Sequence, residues 1–126
     1  MKEIIYTSQA PDPIGPYSQA VKVGNLYFFS GQIAIDSASG DLLTGDLDTE
    51  THQVMKNIQA ILTEVGLSFD NIAKTSIFLK SMGDFAQVNE IYGSYFTKDH
   101  PARETVEVAG LPKGVNVEIS VIAVGE

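Results

Sequence analysis

The stretch VNVEISVIAV, residues 115–124, is a run of apolar and mostly β-branched residues interrupted by a carboxylate. Residues of this type favour strands, in which successive side chains point to opposite faces of a sheet. The odd-numbered residues from Val115 to Val121 share one face, and Ile122 and Val124 lie on the other. The stretch therefore predicts a strand that is apolar, and buried, on both of its faces.

A second stretch with the same property is LYFF, residues 26–29. It follows Gly24 and Asn25, a pair that is typical of a hairpin turn when it stands between apolar runs. The sequence predicts only two helices, and two helices can cover only one face of such a sheet. We therefore expect the second apolar face to be buried against another copy of the chain.

The spacing of apolar residues divides the rest of the chain. The predicted strands are Glu3–Tyr6, Gln19–Val23, Leu26–Ser30, Ile72–Leu79, Ala102–Val108 and Val115–Val124. One helix should begin at Asp46 or Asp48 and end at Gly66, because acids cap helix starts and glycine ends helices. Another should begin at Asp84, with Gln87 completing a capping box. The order β-β-β-α-β-α-β-β predicts an α+β fold with both helices on one face of the sheet.

Composition excludes several classes of protein. The 126 residues fit one domain, residues 1–126, and their 16 acidic and 8 dispersed basic side chains predict no nucleic-acid partner. The absence of cysteine excludes disulfides and a cysteine nucleophile, and the distant His52 and His100 predict no metal site. No apolar run approaches the ~20 residues of a spanning helix and no signal peptide is evident, so we expect a cytoplasmic protein without a membrane partner.

Two charged residues are candidates for chemistry. Arg103 lies just inside a predicted strand, where a rigidly held guanidinium can offer paired donors to a carboxylate. Glu118 interrupts the apolar stretch, where burial would raise the pKa of its carboxyl group and suit it to proton transfer. A surface salt bridge for Arg103, and a solvated face or a lysine partner for Glu118, are the structural alternatives.

Three further positions attract attention. Tyr17 follows the rigid IGP turn, which should orient its ring. Ser30 and Gly31 end a strand, where glycine lets a ligand approach the backbone. Asn89 projects from the second predicted helix. Ordinary packing, turn formation and surface exposure remain open for these residues.

Four segments together resemble the signature of the Rid (reactive intermediate deaminase, YjgF-like) family. They are IGPYSQA (residues 14–20), SGQI (30–33), VNEIYGSYF (88–96) and PARETVEVAGLPKGVNVEISVIAV (101–124). They come in the family order, at nearly the family spacing, and frame almost the whole chain.

The resemblance implies a chorismate-mutase-like domain with a mixed sheet. It further implies a homotrimer whose sites lie in the clefts between subunits. The short connection LPKG, residues 111–114, suggests a simple hairpin between the last two strands. The family topology instead threads the last strand into the sheet interior and leaves the strand of Arg103 near an edge.

The resemblance also implies an activity, the hydrolysis of imines and enamines such as 2-aminoacrylate to 2-keto acids and ammonia, without a metal or organic cofactor. Arg103 matches the family's carboxylate-binding arginine and Glu118 its catalytic acid. The matching substrate-binding positions are Tyr17, Ser30, Gly31, Asn89 and Thr105.

Two residues depart from the family pattern. Thr105 stands where many members carry cysteine, and Glu104 stands where serine is common. If the backbone at position 105 holds the substrate or water, threonine changes little. Glu104 alternates with Arg103 along the strand, so it should face away from the site.

Two other functions compete with this prediction. A non-catalytic module could bind small carboxylates or act as a holdase, but a carboxylate receptor needs only Arg103, so the presence of Glu118 favours catalysis. Some family members are described as endoribonucleases. The net charge of −8 and the lack of clustered cations argue against RNA cleavage.

Overall fold

The computed structural model describes residues 1–125 as a six-stranded sheet with two α-helices. The strands are β1 Lys2–Ile5, β2 Ala20–Val23, β3 Leu26–Phe29, β4 Ile72–Leu79, β5 Ala102–Glu107 and β6 Val117–Val124. The helices are α1 Leu47–Glu64 and α2 Phe85–Gly93. The predicted α+β order of elements is confirmed.

The sheet has the strand order β1-β2-β3-β6-β4-β5. All pairs are antiparallel except β4 and β5, which are parallel, so the sheet is mixed. The last strand, β6, lies between β3 and β4, and β5 lies at an edge. The LPKG segment therefore does not connect β5 and β6 as a hairpin. This agrees with the topology that the family resemblance implied.

The start of α1 follows from its capping residue. The side chain of Asp46 accepts hydrogen bonds from the backbone N–H groups of Asp48 and Thr49, which have no partner within the helix. Gly66, two residues beyond the helix, has a φ of 74°, a conformation that glycine adopts without strain. The predicted helix is confirmed, with Asp46 as its cap.

The start of α2 differs from the prediction. Asp84 makes no side-chain capping bond. Gln87 does not reach back to it but donates to Oδ1 of Asp48 at 2.6 Å, linking the two helices. A short 3₁₀ turn precedes α2 instead, capped by Ser81. The prediction of a capping box was wrong because the side chain of Gln87 forms a tertiary hydrogen bond with Asp48 instead.

Both helices pack on one face of the sheet, and Ile119 and Val121 of β6 lie in the core they share. The opposite face of the chain remains partly open. Its exposed apolar side chains, 37–56% accessible, are Ile4, Val23, Leu26, Phe28 and Val106. The predicted second apolar face therefore exists in the chain as a surface without cover.

A buried carboxylate joins α1 to the sheet. Glu50 is 0% exposed and accepts hydrogen bonds from the backbone N–H groups of Asn116 and Val117 and from Nδ2 of Asn116. Three donors compensate a carboxylate for the water it loses. Glu50 thus attaches the first turns of α1 to the start of β6.

Candidate functional site

A cavity of about 350 Å³ opens beside the start of β6. Tyr17, Ser30, Gly31 and Glu118 contribute to its walls, four of the seven residues named from the sequence. Apolar walls come from Ile14, Ile33, Ile35 and Pro112. The cavity therefore combines two carboxylates, those of Asp12 and Glu118, with a largely apolar lining, and a few polar groups in an apolar lining are typical of a small-molecule site.

Glu118 is the acid of this cavity. Its neighbours Val117 and Ile119 point into the core, so its own side chain points to the face of the sheet that the helices leave open. The carboxyl group is half-buried, and the loss of water raises its pKa above the ordinary value. Within residues 1–125 no side chain or backbone group donates a hydrogen bond to it, which leaves the carboxylate free for a ligand.

Gly31 has no Cβ atom, and the side chain of Glu118 occupies the space that a Cβ atom would fill. A Cβ atom at position 31 would lie 2.7 Å from Cδ of Glu118 and 3.0 Å from its Cγ, closer than real contacts allow. The isolated bridge between Gln32 and Ile119 holds the two segments together, with N–H to O distances of 2.8 and 3.1 Å. The absence of a Cβ atom at position 31 therefore allows the carboxyl group of Glu118 to take the position that it has in this structure.

The hydroxyl of Ser30 and the ring of Tyr17 are both fixed by local hydrogen bonds. Oγ of Ser30 donates to the carbonyl of Ser18 at 2.6 Å. The hydroxyl of Tyr17 accepts from the N–H of Ile14 at 3.2 Å, and the N–H of Tyr17 closes a tight turn onto Gly15 at 2.9 Å. The IGP turn thus orients the ring, as predicted.

A residue that the sequence analysis did not identify holds this wall in place. Gln19 is 1% exposed. Its Oε1 accepts from the N–H of Thr7, and its Nε2 donates to the carbonyls of Thr7, Ala10 and Pro11. A glutamine directly before an apolar strand was the available signal, but its partners lie 8 to 12 residues away along the chain.

The other three candidate residues lie elsewhere. Arg103 is exposed and its Nη1 donates to Oδ1 of Asn89 at 2.6 Å. Thr105 follows on the same side of β5, and its Oγ1 has no hydrogen-bond partner among residues 1–125. In the sheet Arg103 pairs with Thr75, which is buried under the helices, whereas Glu118 pairs with Phe78 on the open face. Arg103 and Glu118 of one chain therefore lie on opposite faces of the sheet.

Glu104 points away from Arg103, as the alternation along the strand predicted. Its carboxylate forms an ion pair with Nζ of Lys74 at 3.0 Å and accepts a hydrogen bond from Ser76. The hydrogen bond from Ser76, followed by that from Lys74, lowers the pKa of Glu104. The departure from the family pattern at position 104 is thus absorbed by a local cluster on the other face.

Neither a cluster of metal ligands nor a membrane-spanning helix is found among the described residues. Within positions 1–125 no three His, Asp or Glu side chains come together as metal ligands. His52 is partly buried, and its Nδ1 lies 2.6 Å from the hydroxyl of Tyr95. Neither α-helix in this part of the chain has the length and apolar content needed to cross a bilayer.

Comparisons with known proteins match nearly the entire chain. The family model described as Endoribonuclease L-PSP matches residues 7–125. A RutC family protein of Pyrococcus horikoshii is 51% identical over 126 residues, covering 100% of both chains. The mouse 2-iminobutanoate/2-iminopropanoate deaminase is 46% identical over 124 residues, which are 98% of this chain and 92% of the mouse protein. The crystal structure of E. coli TdcF with bound serine superposes with a TM-score of 0.93 at 38% identity, covering 98% and 99% of the two chains.

Proposed function

Since this chain belongs to the Endoribonuclease L-PSP family, also known as the YjgF or Rid family, we propose that it hydrolyses 2-imino and enamine acids such as 2-aminoacrylate to 2-keto acids and ammonia. The observation that carries the proposal is the free, half-buried carboxyl group of Glu118 with its raised pKa in a cavity large enough for a small organic acid. Because the raised pKa strengthens the hold of Glu118 on a proton, the group is suited to accept a proton and return it.

The proposed site needs two copies of the chain. Arg103 and Glu118 lie on opposite faces of one sheet, so a small substrate cannot touch both in the same chain. A neighbouring copy packed on the open apolar face would bring its Arg103 edge to the cavity and bury the exposed apolar side chains. We propose a homotrimer with three such sites at its interfaces.

The roles of the residues follow from their chemistry. Arg103, with Asn89 and Thr105 beside it, binds the substrate carboxylate and places the C=N carbon next to a water molecule. Glu118 takes a proton from that water as its oxygen bonds to carbon, and then gives the proton to nitrogen. Glu118 then transfers the proton of the new hydroxyl group to the nitrogen as the C–N bond breaks, so the carbon becomes the keto carbonyl and ammonia leaves. Tyr17, Ser30 and Gly31 shape the wall that holds the imine, and water is the only co-reactant.

The first test is direct. A serine dehydratase generates 2-aminoacrylate in situ, and its loss is followed with wild-type protein and with Arg103→Ala. We expect faster loss with wild type and none beyond background with the variant, whose oligomeric state is checked by light scattering. No acceleration by an assembled wild-type protein would contradict the proposal for this substrate. Keto-acid binding without turnover of any imine would favour a non-catalytic binding module.

The second test addresses the shared site. The proposal predicts that Arg103→Ala protein and Glu118→Gln protein are each inactive alone. Equal amounts of the two are unfolded together and refolded as a mixture. Because a site would take Glu118 from one copy and Arg103 from the next, random mixing restores about one site in four. Mixtures that stay inactive, although mass spectrometry shows mixed oligomers, would mean that the two residues do not serve one site.

The description of the family model raises RNA cleavage as another activity. The cavity contains Asp12 and Glu118, and the proposed site adds a single cation, the Arg103 of a neighbouring copy, which is too little positive charge to hold a phosphate backbone on a protein of net charge −8. We therefore expect metal-free protein to leave RNA intact. Cleavage that disappears in Glu118→Ala, purified in the same way, would overturn this expectation.

A further inference from the structure

Three side chains of α2 meet the guanidinium of Arg103. Phe85, Asn89 and Tyr92 are spaced by four and three residues, so they occupy one face of the helix. Cζ of Arg103 lies 5.6 Å from the ring centroid of Phe85 and 5.3 Å from that of Tyr92. The guanidinium therefore lies at nearly equal distances from the two rings, and Asn89 lies between Phe85 and Tyr92 along the helix.

The contacts leave part of the guanidinium free. Asn89 receives one N–H from Nη1, at 2.6 Å. Aromatic rings attract a cation without consuming its N–H donors. Arginine has five such donors, so the remaining edge keeps the paired donors that a carboxylate accepts in the plane of the group. Arg103 itself is exposed on the edge strand β5, where nothing else in the described chain bonds to it.

We propose that Phe85 and Tyr92 are positioning residues that set the plane of the Arg103 guanidinium, so that its free edge is presented to the carboxylate of a 2-keto or 2-imino acid. This inference rests on the proposed function. The rings act through Arg103 and do not touch the substrate. They narrow the conformations of a long, exposed side chain before the ligand arrives, which lowers the entropy lost on binding.

Tyr92 is itself held firmly enough for this role. It is 4% exposed, and its hydroxyl donates to Oγ1 of Thr75 at 3.0 Å. Phe85 is only partly buried at the start of α2. Tyr92 is a buried member of the core, whereas Phe85 packs against the core from its edge, so removal of the Phe85 ring should disturb the fold less.

The test measures binding of pyruvate, a non-reacting 2-keto acid, by calorimetry with the assembled protein. Phe85→Leu and Tyr92→Leu keep an apolar side chain but remove the ring, and each should weaken binding by about 3- to 10-fold. Tyr92→Phe keeps the ring and loses the bond to Thr75, so it should bind within about twofold of wild type. This control separates the ring from the stability that Tyr92 supplies to the core.

A coupling measurement excludes a purely structural effect. In an Arg103→Lys background the cation is a point charge that has no plane to orient. Phe85→Leu should then weaken pyruvate binding by less than about twofold, a non-additive result. An equal loss in both backgrounds would show that Phe85 acts on the fold and not through the guanidinium. Unchanged affinity in folded Phe85→Leu and Tyr92→Leu proteins, or no binding of pyruvate to wild type, would also overturn the inference.

The outcomes separate this inference from the proposed function, since pyruvate binding requires no turnover. Ring-dependent binding in a protein that never accelerates imine loss would leave the inference standing and reject the deaminase. Accelerated imine loss together with pyruvate binding that does not depend on the two rings would support the deaminase function and reject the inference.

Discussion

Two glutamates at the strand β6 have opposite surroundings, one fully hydrogen-bonded and the other without a hydrogen-bond donor among the described residues. Glu50 reaches the start of β6 from α1, is fully buried and accepts three hydrogen bonds. Glu118 belongs to β6 itself, is half-buried and accepts none from residues 1–125, and its pKa is raised by the loss of water. A satisfied carboxylate stabilises a fold, and an unsatisfied one is available for chemistry.

The largest expected difference is in turnover. In the proposed function, Glu118→Gln removes the group that moves the proton while keeping its size. We expect imine hydrolysis to fall by about 10²–10⁴-fold. The measurement is loss of 2-aminoacrylate generated in situ by the serine dehydratase, with pyruvate binding as the control that the site remains folded. Wild-type turnover in this variant would remove Glu118 from the mechanism.

The other glutamate should affect stability instead. Glu50→Gln replaces one accepting oxygen with an NH₂ group that faces backbone donors. We expect the free energy of unfolding to fall by about 1–3 kcal/mol, measured by urea denaturation. Glu64→Gln, on the exposed end of the same helix, is the matched control and should change stability by less than about 0.5 kcal/mol. Equal stability of the Glu50 and Glu64 variants would contradict the comparison.

A change beside Glu118 should sharpen the difference. In Gly31→Ala the new methyl group would overlap the carboxyl end of Glu118, which can move aside because it is the far end of a flexible side chain. We expect a tenfold lower turnover, since a displacement of about 1 Å in a catalytic group costs up to about 100-fold. Stability should change little. Gly93→Ala, where a Cβ meets nothing within 4 Å, is the control that should keep full activity.

The smallest effect is a pH dependence of stability. A raised pKa means that folded Glu118 holds its proton more tightly than the unfolded chain does. The stabilisation from this group is complete below the ordinary glutamate pKa of about 4.3 and is lost as pH rises through the folded pKa. Glu118→Gln should therefore be more stable than wild type at pH 7, and the gap should close towards pH 4. The measurement is the Tm of wild type and of Glu118→Gln at each pH from 4 to 7. A difference in Tm that stays constant across this range would contradict the burial of the carboxyl group.

Short-range features of the fold were predictable from the sequence. The two-residue turn at Gly24, the Asp46 cap and the alternation along β6 depend on residues adjacent in the chain, and all three are found. The failed prediction was the capping box at Asp84, because Gln87 bonds to Asp48, 39 positions away. A local rule cannot report that a distant partner competes for the same side chain.

The candidate site divides in the same way. The sequence by itself determined which side chains could carry chemistry, since a carboxylate in an apolar strand and a single arginine are visible in the residue types and their spacing. Only the tertiary structure decided that Gly31 makes room for Glu118 and that Gln19 holds the segment at Pro11 that lines the cavity. It also decided that Arg103 contacts α2 on the other face of the sheet. These relations join segments far apart in the chain, and strand order and register, which no local pattern encodes, set them.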